Sequence, residues 1–465
     1  MPLILGKQAI NTLRQAAIER IRFFQEALAE RGIIARIGTE LEFFPLNKSG
    51  LPQKDILDAK KLTAALRKNV RGIERVHPES ITSRAQYELV TGPNPKMKGA
   101  GIADASPLAA AETVDAFKTG LINHADRLGL GGISFKARQR EGNSLHTSGL
   151  HINMSLWDSA GRKNLFYQPL RATSDIERHV VDSLIKTHAT AAPAYFPNPD
   201  SYERIPIDLA GLMSTAPTHA AYMSNKGSTI SNAYQLIKGL VAGEPKIGSI
   251  AGRHADLLHA PFGAAEGLLF RGHRSNWIGW ERPRMYRLEG RLAGADADPY
   301  VAIASELASA YEAVRGKVRP YVHGMSIDKA NERIIKAGER SWVVAKHDGK
   351  FASHRLSLDN TAGHEALVES VRMRELLGED LYHGIVATTK PLSISTETAN
   401  AVAESEHHFQ DMVRRGHNRH YDTTDITPTV IETINGLPAS VVRDAPLATW
   451  KDRLRNRFSD GKSIT

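Results

Sequence analysis

Gly38-Thr39-Glu40-Leu41-Glu42-Phe43-Phe44 alternates acidic and apolar side chains from Glu40 to Phe43. In a β-strand alternate residues share a face, so Glu40 and Glu42 stand together on one side and Leu41 and Phe43 on the other. The apolar flanks extend the strand to residues 33–46, with Ile37, Leu41 and Phe43 on one face and Gly38, Glu40, Glu42 and Phe44 on the other. A lone E-x-E is ordinarily a solvated strand face. Here Phe44 shares the acidic face and apolar residues flank the strand, which points to a central position. Two carboxylates there need solvent or a hard divalent cation.

Two further segments alternate in the same way. His151-Ile152-Asn153-Met154-Ser155 puts three polar groups on one face. Taken singly, His151 reads as a core histidine; with Asn153 and Ser155 beside it, burial against a core would be expensive, and a site is the better reading. An imidazole near carboxylates suits Mn²⁺ or Mg²⁺ working with phosphates. Arg287-Leu288-Glu289-Gly290-Arg291 reads either as a cross-strand charged face or as a phosphate and carboxylate clamp. The nearby Arg271, Arg274, Arg282 and Arg284 make that region basic. Gln86-Tyr87-Glu88-Leu89 follows the same scheme less fully.

Outward from these strands, apolar spacing of three and four predicts helices over 7–31, 56–69, 107–128, 174–190 and 299–316. Short strands are expected up to Val90, and two strands over 130–157 joined by a polar loop from Gln139 to Ser148, with a further loop at Phe196 to Ser201. From about 320 the chain reads as helical with loops, ending in a polar tail where Pro428 and Pro438 oppose long regular elements. The 465 residues suffice for a large core, and 41% hydrophobic with 24% charged residues is an ordinary globular composition. The net charge of +9 permits anionic partners, but basic residues are spread along the chain with no nucleic-acid module. No cysteine is present, which excludes disulfides and thiol catalysis and fits a reducing compartment. With neither a signal segment nor a stretch of membrane-spanning length, the expectation is a cytoplasmic protein without membrane partners. Gly461-Lys462-Ser463 lacks the upstream glycine of a P-loop.

In order along the chain, the E-x-E strand, Gln86-Tyr87-Glu88, Ser148-Gly149-Leu150-His151-Ile152-Asn153-Met154-Ser155-Leu156, Asn198-Pro199-Asp200-Ser201-Tyr202-Glu203-Arg204, Arg274-Ser275, Arg287 to Arg291 and Asp296-Ala297-Asp298-Pro299-Tyr300 resemble the catalytic domain of glutamine synthetases and related γ-glutamyl ligases. The resemblance covers roughly residues 36–320, and more loosely to about 412. It implies an α+β fold, a curved, largely antiparallel half-barrel sheet covered by helices, as residues 36–412 between an N-terminal helix (1–35) and a C-terminal tail (413–465). It also implies a two-metal site for Mg²⁺ or Mn²⁺, with Glu42, Glu88 and Glu79 holding one ion and Glu40, His151 and Glu289 the other. Arg204 and Arg291 take the substrate-carboxylate positions, with Thr147 and Gly149 lining that side. Arg274 and Arg287 take the phosphate-stabilising positions, and Ser155 lies where the family contacts ATP. The implied chemistry is phosphoryl transfer from ATP to a carboxylate, followed by attack of an amine, in a homo-oligomer. The family alternatives are ammonia-using glutamine synthesis, a phosphotransferase that stops at phosphorylation, and an inactive nucleotide-binding relative.

The sequence also departs from the pattern. The family carries a β-grasp domain before E-x-E, where one helix precedes it here. His146-Thr147 stands for the family's asparagine-glycine pair, and Asn153 for its second histidine. Gly279 replaces an arginine, Pro206 to Leu209 replace a proline-glycine loop, and an insert occupies about 211–262. Kept metal and phosphate residues beside an altered ammonium pocket imply an acceptor other than free ammonia, with glutamate as the acyl donor and the insert as the acceptor-side wall.

Overall fold

The computed structural model describes residues 7–69, 72–78, 85–91, 105–141, 144–166, 175–203, 230–231, 287–290, 292–316, 343–347, 350–354, 360–389 and 432–437. Helix α1 (Lys7–Ala29) buries Ile21, Phe24 and Leu28 completely. At its end Gly32 adopts φ +71°, a left-handed conformation that costs glycine little and turns the chain into strand β1 (Ile33–Leu46). Both faces of β1 are buried from Ile37 to Phe44, which makes it the central strand that its flanks predict.

The main sheet forms around β1. Strands β2 (Ile73–Pro78) and β3 (Tyr87–Thr91) follow helix α2 (Ala59–Asn69). Helix α3 (Pro107–His124) precedes β4 (Gly132–Ser134), which pairs with the end of β1. Strand β7 (Leu150–Asp158) lies on the other side of β1, and the order is β2-β3-β1-β7-β9-β8, with β8 (Ile230–Ser231) and β9 (Leu288–Gly290) completing it. Every pairing described is antiparallel. Because side chains alternate, Leu150, Ile152, Met154 and Leu156 of β7 join Ile37, Leu41 and Phe43 of β1 and Leu288 of β9 in one apolar core. That core also takes in α1, α3, α4 (Asp175–Thr190), the short α5 (Ala192–Tyr195) and α6 (Pro299–Val314).

Helix starts are fixed by local chemistry. Ser106 caps α3, its hydroxyl accepting from Ala109 N at 3.3 Å ahead of Pro107. Asp298 caps α6, accepting from Tyr300 N at 3.0 Å and Val301 N at 3.3 Å, and pairs with Arg14 of α1 at 2.6 Å. Arg14 also reaches Asp115 of α3 at 2.8 Å, so one guanidinium joins three helices.

Two expectations need correction. The supposed loop from Gln139 to Ser148 is a hairpin of β5 (Arg138–Glu141) and β6 (Ser144–Thr147), with Glu141 opposite Ser144. Gly142-Asn143 between them is a hairpin signal in its own right. Within the region read as helical, β10 (Val343–His347) and β11 (Lys350–His354) also form a hairpin, across Asp348-Gly349. Helices α7 (Asn360–Val368), α8 (Val371–Leu377) and α9 (Glu379–Thr388) follow as expected. Residues 432–437 include a helical turn whose Ile434 is fully buried against Gly120 of α3.

Candidate active site

The sheet face opposite the apolar core carries the alternating polar residues, and register fixes who meets whom. Glu40 stands directly across from His151, and Glu42 directly across from Glu88. Asn153 lies opposite Gly38 on one side and Glu289 on the other. On β2, His77 lies opposite Glu88. The strands β3, β1 and β7 therefore bring Glu88, Glu40, Glu42, His151 and Asn153 together on one face, and register sets Glu289 of β9 opposite Asn153.

These groups are deeply buried: Glu40 is 2% exposed, Glu42 4%, Glu88 3% and His151 0%. His151 Nδ1 lies 3.4 Å from Glu40 Oε2. Glu42 Oε2 accepts from Gly149 N at 2.7 Å, and Glu42 N donates to Gly149 O at 2.9 Å, so the glycine holds both the carboxylate and the backbone of Glu42. His77 Nε2 lies 3.5 Å from Glu88 Oε1. Arg287 Nε donates to Asn153 Oδ1 at 2.6 Å with both side chains buried. Ser155 accepts from the indole of Trp157 at 2.9 Å. That ring is covered in turn by the Arg36 guanidinium, 4.3 Å from its centroid.

Three buried carboxylates on adjacent strands, two of them directly opposite, form a strongly negative field. Oxygen donors with one imidazole are the donor set that Mg²⁺ and Mn²⁺ accept, so the residues fit such an ion. Among the described residues no three acidic or histidine side chains meet as a finished metal cage; instead two neighbouring pairs lie along the sheet, Glu40 with His151 and Glu42 with Glu88. Glu79, the third partner expected for the second pair, lies outside the described residues, as do Arg204, Arg274 and Arg291. Glu289 and Thr147 are placed by strand register, Glu289 opposite Asn153 and Thr147 opposite Arg138.

One residue escaped the sequence reading. Glu74 sits where the β2–β3 register shifts, between Ile73 and Arg75. Burial pushes its carboxyl up; Arg75 and Arg287 pull it down, and Glu40 pushes it up again. Its electrostatic neighbours are therefore residues of the polar face. Strict alternation groups Glu74 with the core residue Val76, and only the bulge allows otherwise. A β-bulge leaves no reliable mark in a single sequence.

The loop motifs have a structural role in the frame. Asp296 accepts from Asn198 Nδ2 at 2.8 Å and from the Ser201 hydroxyl. Lys118 of α3 donates to Ala295 O at 2.9 Å and Ala297 O at 3.1 Å. Asn198 and Ser201, expected in a loop, flank the start of a 3₁₀ helix (Pro199–Glu203), and this segment and the approach to α6 are thereby fastened to each other and to α3.

Residues 59–233 match the family model described as "Glutamine synthetase, catalytic domain". Over that stretch the sequence resembles the glutamine synthetase catalytic domain. Among solved structures, the chain is similar to a GmaS/ADP complex, with 16% identity, TM-score 0.54, and coverage of 87% of this chain and 77% of that one. A glutamine synthetase from Plasmodium falciparum matches at 16% identity and TM-score 0.53, covering 88% and 79%. A structure described as a novel glutamine synthase homolog matches at 17% and 0.50, covering 85% and 74%. At these identities the likeness is one of fold, and it agrees with the open antiparallel sheet found here. No curated protein matches the sequence. Among the described residues no helix is long and apolar enough to cross a membrane.

Proposed function

We propose that the chain is an ATP-dependent carboxylate–amine ligase that joins the γ-carboxyl of glutamate to an amine or amino acid other than ammonia. The observation that carries the reading is the burial of Glu40, Glu42, Glu88 and His151 as cross-strand pairs on one sheet face, with Arg287 alongside. Glu42 and Glu88, with Glu79, would hold one Mg²⁺ or Mn²⁺, and Glu40, His151 and Glu289 the other. Such ions supply charge neutralisation for a polyphosphate.

The protein's own groups have these roles. Arg287 and Arg274 neutralise the phosphate oxygens, with Ser155 on the nucleotide side. Arg204 and Arg291 orient the substrate carboxylates, with Thr147 and Gly149 beside them. A γ-carboxylate oxygen attacks the γ-phosphorus of ATP and ADP leaves. The amine nitrogen then attacks the acyl carbon, phosphate departs, and the nitrogen loses a proton. No protein nucleophile is required, so positioning and electrostatics carry the rate. Asn153 in place of a histidine, and the pairing of Ile230–Ser231, from within the insert, beside Glu289 and Gly290, support an altered acceptor side. Residues 36–412 act as the catalytic unit, which works as a homo-oligomer in the cytoplasm.

The test is ADP release with ATP, Mn²⁺ or Mg²⁺, glutamate and a panel of amines, with product mass read in parallel. Amine-dependent ADP release that disappears in Glu289→Ala is expected. Absence of such release across the panel overturns the proposal, and a phosphorylated acid as final product would make the chain a phosphotransferase.

A further inference from the structure

Behind strand β9, on the core side of the sheet, lies a buried histidine–carboxylate contact that phosphoryl chemistry does not use. His188 of α4 and Glu306 of α6 meet at 3.0 Å, His Nε2 to carboxylate Oε1, with side-chain exposures of 0% and 2% respectively. The Glu306 carboxylate rests on Gly290. A Cβ built there would lie 2.5 Å from Oε1, 3.0 Å from Cδ and 3.2 Å from Oε2. A methyl group there would force the Glu306 carboxylate out of its place beside the strand. Gly290 faces the core, while Glu289, the next residue back, is opposite Asn153 in the register that builds the polar face.

The pair is itself supported. The His188 ring meets Tyr195 edge-on, with centroids 5.0 Å apart. One turn along, Ser309 donates to Thr187 at 2.8 Å. Further on, Arg372 of α8 binds Glu312 and the Ser183 hydroxyl, the latter at 2.9 Å. A polar seam thus runs the length of the α4–α6 contact, in an otherwise apolar core, and its end abuts the β9 backbone. A buried carboxylate is costly unless it is paired and hydrogen-bonded. A hydrophobic residue would fill the space above Gly290 without requiring His188 as a partner.

We infer that Glu306 and His188 are positioning residues. The carboxylate, oriented by the imidazole, fixes the Gly290 backbone and thereby sets the strand carrying Glu289 and Arg287 at its height against β7. The pair touches no substrate and acts through β9. Its effect on metal affinity rests on the role proposed above for Glu289; its effect on strand position does not.

The experiment separates the two. Hydrogen–deuterium exchange over residues 287–290 and 150–156, Mn²⁺ titration and thermal unfolding are compared for the wild-type chain, Glu306→Gln, Gly290→Ala, and Gly290→Ala combined with Glu306→Ala. Glu306→Gln should speed exchange at 287–290 and weaken Mn²⁺ about tenfold, the low end of what supporting residues around metal sites contribute. Gly290→Ala should do the same from the other side of the contact, and Glu306→Ala in the same chain should restore part of the loss by removing the clash. Residues in contact are non-additive in any case, so the discriminating readout is whether Mn²⁺ affinity and exchange at 287–290 recover together in the double variant; relief of the clash alone would restore only the melting temperature. Unchanged exchange at 287–290 in Glu306→Gln, or a double variant at least as impaired as Gly290→Ala, overturns the inference. If β9 exchange and rescue behave as stated but wild-type protein binds no Mn²⁺, the metal reading falls and the positioning role stands.

Discussion

Replacing Glu88 by glutamine should make the metal-free protein more stable, although it alters a buried residue at the centre of the polar face. Glu88 stands directly opposite Glu42, and both are almost fully buried. Directly opposed cross-strand side chains lie about 5 Å apart. Two like charges at about 5 Å repel by about 3 kcal/mol at an effective dielectric of about 20. Against this, the substitution weakens the 3.5 Å approach of His77, whose side chain is 31% exposed. A contact that open contributes under about 1 kcal/mol. The repulsion wins, for a net stabilisation of about 1–3 kcal/mol without metal. Glu42 keeps its hydrogen bond from Gly149 N in either case. Thermal unfolding with EDTA and with saturating Mn²⁺ measures the effect. The variant should melt above wild type in EDTA and lose that lead in Mn²⁺, because an ion that binds only the folded state stabilises wild type by mass action. A Glu88→Gln protein that melts below wild type in EDTA would refute the reasoning, as would equal gains from Mn²⁺ in both.

Three other outcomes follow from the geometry. Arg372→Met should destabilise the chain by about 3–5 kcal/mol near neutral pH, since it strands a buried carboxylate. Burial pushes Glu312 up, but hydrogen bonds from Arg372 and Ser183 outweigh it and hold the carboxyl below its usual range. The stabilisation is therefore complete above that range and is lost as pH falls through the lowered value, so urea midpoints of variant and wild type should converge in acid. Ile434→Ala, which empties the contact with Gly120, should cost about 2–5 kcal/mol in urea unfolding. Asn153→Leu removes the acceptor for Arg287 Nε and should raise the KM for ATP about tenfold, the effect of losing a hydrogen bond to a charged group; an unchanged KM would detach Asn153 from the nucleotide side.

The polar face was legible because alternation is a strict geometric rule. Once Glu40 and Glu42 are set on one side of β1, the core positions of Leu41 and Phe43 follow, and the pairing of Glu40 with His151 needs only antiparallel register. Both missed hairpins carried their signals, Gly142-Asn143 inside a stretch read as a polar loop and Asp348-Gly349 inside one read as helical. Glu74 was not legible, because a bulge shifts phase without a compositional mark. Nor was the Glu306–His188 pair, since a helix sequence shows that a polar residue lies on a buried face but not what stands across from it. The role of Ile434 was hidden for the same reason: a single apolar anchor in a polar stretch has no period.

The clasp at Asp296 has a consequence for how freely this chain can change. It holds Asn198 and Ser201, while Arg287 is held by Asn153, so the connections 204–229 and 232–286 leave from and return to points that are already fixed. Lengthening such a connection costs little, roughly 0.6 kcal/mol for each doubling, because loop-closure entropy grows only with the logarithm of length. The register that sets Glu40 against His151 and Glu42 against Glu88 is made by residues outside both connections, so those pairs keep their places when either connection changes.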